Sequence, residues 1–142
     1  MTNFGTILTG IAFSPNLKAN VFETLRLGRM LKSNVVLVHV GIKNKDKEEE
    51  IQRYCNIFPE FKKNITVIWK EGDAVNVIIN ACKESNADLL ILGGTKREKS
   101  NKYYLGPVAK KIAKKAPCSL LLFINPSIEK LLCRHVVVNG LK

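Results

Sequence analysis

Residues 73–92, DAVNVIINACKESNADLLIL, carry two periods in succession. In the first half Val75, Ile78, Ile79 and Cys82 recur at i, i+3, i+4 and i+7, the stripe of an amphipathic helix, and Asp73 stands where a first-turn cap belongs. From Ala87 the pattern changes: after Asp88, Leu89 to Leu92 form an unbroken apolar run, as expected of a short strand covered on both faces. A helix over 73–85 that hands directly to a buried strand over 87–92 is one half of a parallel α/β unit.

Reading outward, the same alternation continues in both directions. Downstream, residues 93–105 form a long polar loop, 106–116 a helix stopped by Pro117, and 118–124 (CSLLLFI) another apolar strand. Upstream, residues 6–13 (TILTGIAF) read as a strand closed by Ser14-Pro15-Asn16. Residues 17–32 read as a helix that Ser14 or Asn16 can cap, and 34–41 (NVVLVHVG) as a second strand. A polar connection over 42–47, a helix over 46–58 and an alternating strand over 64–69 complete the set. Apolar strands alternating with helices predict a doubly wound five-stranded parallel sheet, order 3-2-1-4-5, Rossmann-like, with helices on both faces. It occupies one α/β domain over 1–125, followed by a tail over 126–142 that can hold a short helix and a short strand and dock on its own domain or on a second subunit. Ligands in such a fold sit beyond the carboxyl ends of the strands, where the strand order reverses, which places Ala12 to Pro15 opposite Gly93 to Arg97.

Composition sets the class. The chain has 142 residues, 46% of them hydrophobic and 25% charged. That is ordinary globular usage, and it argues against disorder, collagen or a coiled coil. Its apolar runs are far shorter than the roughly 20 residues of a membrane span, and the N-terminus lacks the basic region and apolar core of a signal peptide. Four cysteines with no C-x-x-C pair predict neither a disulfide framework nor a metal site, and a reduced, cytoplasmic protein is expected. The net charge is +11. Eight basic residues and one acidic residue fall between Gly94 and Ala116, so the excess is local.

Nothing in the chain assembles a catalytic constellation, and no enzyme is expected. Ser14 lacks a nucleophile elbow. His39 stands alone in an apolar strand and His135 lies in the tail with no assignable partner; Asp73 and Asp88 read as a helix cap and a strand-entry residue. Lys110, Lys111, Lys114 and Lys115 share one side of the fourth helix, with only Tyr103 and Tyr104 nearby for base stacking. They read as a solvated lysine face rather than a nucleic-acid stripe, so nucleic acid is not the expected partner, and a basic accessory protein is the last of the readings.

Residues 71–123, EGDAVNVIINACKESNADLLILGGTKREKSNKYYLGPVAKKIAKKAPCSLLLF, resemble the universal stress protein family. Its equivalent stretch runs G-D-x4-I, A-D-L-I-V-M-G, a loop, G-S-V-A and A-P-C-P-V-L-V-V. The opening ILTGIAFSPN is similar to the family's I-L-V-P-x-D-F-S, and the second strand to one that ends in L-H-V. The resemblance covers residues 6–124 and implies a dimeric stress-response regulator that pairs through the edge of its fifth strand, here Cys118, Leu120, Leu122 and Ile124, with a protein partner that stays unidentified. It also implies a nucleotide site for ATP or AMP around Ala12, Val40, Gly93, Thr95, Lys96, Arg97, Gly106, Pro107 and Val108. The family's G-x2-G-x9-G-[ST] motif keeps its spacing here, but Lys96 stands at the second glycine and Pro107 at the Ser/Thr, while Ala12 stands at the Asp that contacts adenosine. Lys96 adds a side chain where backbone must approach phosphate, Pro107 has neither hydroxyl nor N–H, and Ala12 has no acceptor. These departures favour a non-catalytic member with impaired or absent ATP binding. The alternative is a nucleotide-binding module that uses Lys96 and Arg97 at the phosphate loop, with slow hydrolysis or none.

Overall fold

A computed structural model of the chain describes residues 4–93, 95–96, 103–104, 106–124 and 135–139. The sheet opens with β1 (Thr6–Ile11). The helix α1 (Leu17–Leu31) then leads to β2 (Asn34–Val40). Lys32 ends α1 in the left-handed conformation at φ 54°. The predicted capping of α1 is not made: Asn16 forms no side-chain cap bond, and Ser14 Oγ instead accepts from the Asn16 N–H at 3.3 Å. Next come α2 (Lys45–Cys55), a 3₁₀ turn over Pro59–Asn64 and β3 (Ile65–Lys70). Pro59 at the start of that turn explains why α2 stops short of the predicted 58: the residue before a proline disfavours helix. Asn44 caps α2, accepting from the Lys47 N–H at 2.9 Å.

The helix α3 (Ala74–Glu84) is capped as expected, with Asp73 accepting from the Asn76 N–H at 3.0 Å. It precedes β4 (Leu89–Gly93). Within the span predicted as loop, β5 (Thr95–Lys96) pairs antiparallel with β6 (Tyr103–Tyr104) in a small separate sheet. The chain continues through α4 (Pro107–Lys115), β7 (Ser119–Ile124) and β8 (His135–Asn139).

The main sheet runs β3-β2-β1-β4-β7-β8. Its first five strands are parallel, which is the predicted order 3-2-1-4-5. Strand β8 is an antiparallel addition that sets Leu120 opposite Asn139 and Ile124 opposite His135. The expectation of an open fifth-strand edge is therefore corrected. Backbone groups that an edge strand would leave unpaired are taken up by residues 135–139 of the same chain. The rest of the tail, 125–134 and 140–142, lies outside the described residues.

Alternation along the strands divides the core. Leu8, Val36, Val38, Leu90 and Leu120 point to the face covered by α3 and α4, where Ile78, Cys82 and Ile112 meet them. Ile11, Val35 and Leu37 point to the other face, under Val21 and Leu25 of α1 and Ile51 of α2. Gly28 lets α1 approach closely: a Cβ there would stand 2.6 Å from Val35 Cγ2 and 3.1 Å from Phe61 Cζ. Among the described residues no helix is long and apolar enough to cross a membrane.

Candidate functional site

Strands β1 and β4 are neighbours whose following helices leave in different directions, and the cavity predicted for that point is present. It has a volume of about 560 Å³. Gly10, Val38, Val40, Ile78 and Leu92 line it, with Ala12 after β1, Gly93 at the end of β4, and Gly106 to Ala109 at the start of α4. Its size falls in the range of small-molecule pockets, apolar at the base with few polar groups.

The structure brings together Ala12, Val40, Gly93, Gly106, Pro107 and Val108 around this cavity. Ala12 and Pro107 are exposed, and Val108 is 46% exposed. Thr95 and Lys96 follow β4 directly in the β5–β6 pairing, with their backbones opposite Tyr104 and Tyr103. Arg97 lies outside the described residues. Pro107 is the first residue of α4 after Gly106, so the helix begins with a residue that offers no N–H. The Lys110 N–H turns back to the Gly106 carbonyl at 2.9 Å. The first-turn N–H groups before it, at Val108 and Ala109, have no helical acceptor, and both residues line the cavity.

Sequence reading places Ser14 at this crevice and misses the rest of its polar wall. Asn16 and Asn20 also line the cavity, and Asn20 Oδ1 is buried without a hydrogen-bond partner. A Cβ on Gly93 would stand 3.3 Å from Asn20 Nδ2, so α1 presses its amide against the end of β4. The signal was present: Asn16 and Asn20 are four apart, on one face of the helix that leaves β1.

His39, read from the sequence as a structural residue, lines the same cavity from β2. Its Nδ1 lies 3.0 Å from the Ile11 carbonyl oxygen, an acceptor only, so Nδ1 carries the proton. The ring packs edge-on against Phe13 at 4.8 Å and Trp69 at 5.4 Å. Its Nε2 is buried and unpartnered, and a Cβ on Gly41, whose φ is 152°, would lie 2.8 Å from it. Glycine after β2 thus leaves room for the imidazole. Among the described residues no group of three His, Cys, Asp or Glu could hold a metal ion.

The positions proposed for subunit pairing are placed differently from one another. Leu120 is 5% exposed and belongs to the core against α3 and α4. Cys118 and Leu122 are half-buried against the same core, and Ile124 is the last residue of β7, opposite His135.

The universal stress protein family model matches residues 42–123, more than half of the chain. Similar solved structures include a universal stress protein in complex with cAMP, at 16% identity over 84% of this chain and 95% of that one, TM-score 0.64. The universal stress protein UspA from Lactobacillus plantarum is 14% identical over 84% and 95%, TM-score 0.67. A universal stress protein from Archaeoglobus fulgidus is 18% identical over 82% and 96%, TM-score 0.61. At these identities the likeness is one of fold. No curated protein sequence matches the chain significantly. With the parallel sheet, the crevice at its strand reversal and the matched span agreeing, the chain belongs to the universal stress protein family.

Proposed function

We propose that this protein is a non-catalytic, cytoplasmic stress-type regulator, a homodimer in its working state, whose ATP binding is impaired or absent. The observation that carries the reading is the pairing of a formed cavity with altered anchors. The cavity is lined by Ala12 where an acceptor for the sugar or base would stand, and by Pro107 where a hydroxyl and an N–H would meet phosphate. A single charge-assisted hydrogen bond contributes about 1.5–3 kcal/mol, so each loss weakens adenine nucleotides roughly ten- to a hundredfold.

Thermal-shift titration with ATP, ADP, AMP and cAMP tests this. No saturable stabilisation by ATP is expected, and a clear shift would overturn the reading. A second reading, an anion site rebuilt with Lys96 and Arg97, is favoured by two features: the free first-turn N–H groups of α4, which suit an anion, and the cAMP complex of one structural relative. Saturable binding by any of the four nucleotides that is lost on Lys96→Ala with Arg97→Ala would establish it. Subunit pairing is read by sedimentation, where a monomer at high concentration would remove the homodimer.

A further inference from the structure

Two cysteines come together at the end of the sheet opposite the crevice. The Ala87 N–H donates to the Cys82 carbonyl at 2.9 Å, which ties the last turns of α3 to the entry of β4. Strand β4 pairs with β7 so that Leu89 faces Ser119, and one step earlier Asp88 comes beside Cys118. The connection therefore delivers Cys82 and Cys118 to the same point, and both pack into the core cluster between α3, α4 and the sheet. Their side chains are near enough to interact as a thiol pair. The two differ in access: Cys82 is 1% exposed, while Cys118 is half-buried.

We propose that Cys118 and Cys82 form a peroxide-sensitive thiol pair, in which Cys118 is oxidised by a small hydroperoxide and Cys82 resolves it to a disulfide. The Cys118 thiol is held below its ordinary value, first by the Cys82 hydrogen bond and also by the Leu90 main-chain N–H, against burial and the Asp88 carboxylate. The thiolate is the nucleophile, so the less buried of the two cysteines is also the activated one. Cys82 is pushed the other way, chiefly by the same hydrogen bond, and so keeps its proton.

The Cys118 thiolate attacks the peroxide O–O bond. An S–O bond forms, the O–O bond breaks, and the leaving oxygen takes up a proton as water or an alcohol. Cys82 sulfur then attacks the Cys118 sulfenic acid. The S–S bond forms, the S–O bond breaks, and the hydroxide leaves with the Cys82 proton as water. The two cysteines lose two electrons and the peroxide gains them. The pair lies away from the crevice and does not depend on what that cavity binds.

The test is hydrogen peroxide on the reduced full chain, followed by alkylation of remaining thiols, digestion without reductant and mass mapping. A Cys82–Cys118 linked peptide is expected, lighter by two hydrogens and absent in Cys118→Ser. In Cys82→Ser the sulfenic acid at Cys118 has no resolving thiol and is trapped by dimedone. Mapping of the unmutated chain decides the matter even if a variant fails to fold. Recovery of Cys82 and Cys118 as alkylated thiols, or Cys118 overoxidised with Cys82 free, overturns the proposal.

Discussion

At the amino-terminal end of the sheet the strands are laced together by polar bonds. The Thr6 N–H donates to the Asp88 carboxylate at 3.0 Å, and the Asp88 N–H returns to the Thr6 carbonyl at 2.8 Å. The Asn34 N–H meets the Gly5 carbonyl at 2.9 Å, and Asn64 Nδ2 reaches Asn34 Oδ1 at 3.1 Å. At the carboxyl-terminal end the strands open onto a cavity of about 560 Å³, beside which Asn20 Oδ1 is buried without a partner. The contrast separates stability from recognition. Groups at the closed end bond to each other, whereas groups at the open end face a space, so Ala12 and Pro107 can stand there at little cost to the fold while changing what the space accepts.

The largest expected effect belongs to the core that both ends share. Leu90 is fully buried in the central part of β4, between β1 and β7. Leu90→Ala should cost about 3 kcal/mol, combining lost transfer energy with a cavity. Urea denaturation reads it, and a loss below about 1 kcal/mol would mean that the sheet centre is less tightly packed than described.

Glycines at the two ends sharpen the comparison. A methyl at Gly28 drives into Val35 and Phe61, both buried, whereas one at Gly106 meets nothing within 4 Å. Overpacking costs about 1–3 kcal/mol, from which the roughly 1 kcal/mol helix preference of Ala subtracts, so Gly28→Ala should lose about 1–2 kcal/mol. Gly106→Ala should stay within about 0.5 kcal/mol. Equal losses at the two positions would abolish the distinction between a packed and an open end.

The open end can also be changed in function. Ala12→Asp with Pro107→Ser supplies a carboxylate, a hydroxyl and an N–H at the cavity. ATP affinity should rise at least tenfold, about 1.4 kcal/mol, read as a new concentration-dependent thermal shift. No change would show that these two positions are not what weakens the site.

How much of this was legible follows the same division. Apolar runs such as residues 89–92 and the stripe through Ile78 and Cys82 announce themselves because burial on two faces or one leaves a period in the sequence. Asp73 was legible as a cap because it lacks a competing role. The alternation of strands and helices located the crevice between Ala12 and Gly93, since strand reversal fixes where it opens. Asn20 was not read, because a polar residue on a helix looks the same facing water or facing a pocket. Strand β8 was only half-read: HVVV signals a strand, but no local pattern says which edge it joins or in which direction. The Cys82–Cys118 meeting is a long-range contact, and long-range contacts leave no period.

The smallest expected effect is a slope. Cys55, the last residue of α2 and buried against the core beneath α1, has its thiol raised chiefly by burial, with Lys62 pulling the other way. Tyr54, on the same helix, is raised by desolvation and by its hydrogen bond to Glu50 at 3.0 Å. For both, the unfolded chain loses its proton first as pH rises. The unfolded state is therefore favoured progressively above the ordinary value of 9.0 for the Cys55 thiol and 10.0 for the Tyr54 phenol, and each contribution is fully present below it. Urea midpoints should fall between about pH 8 and about pH 10, in the direction linkage requires for groups with raised values. Cys55→Ala should lower stability at both pH values, because it leaves a gap in the core, yet make the fall between them shallower. Tyr54→Phe should also flatten the fall, and without the loss at neutral pH. An unchanged slope in both variants would show that neither group feels its burial, and that the α1–α2 face is wetter than its apolar lining implies.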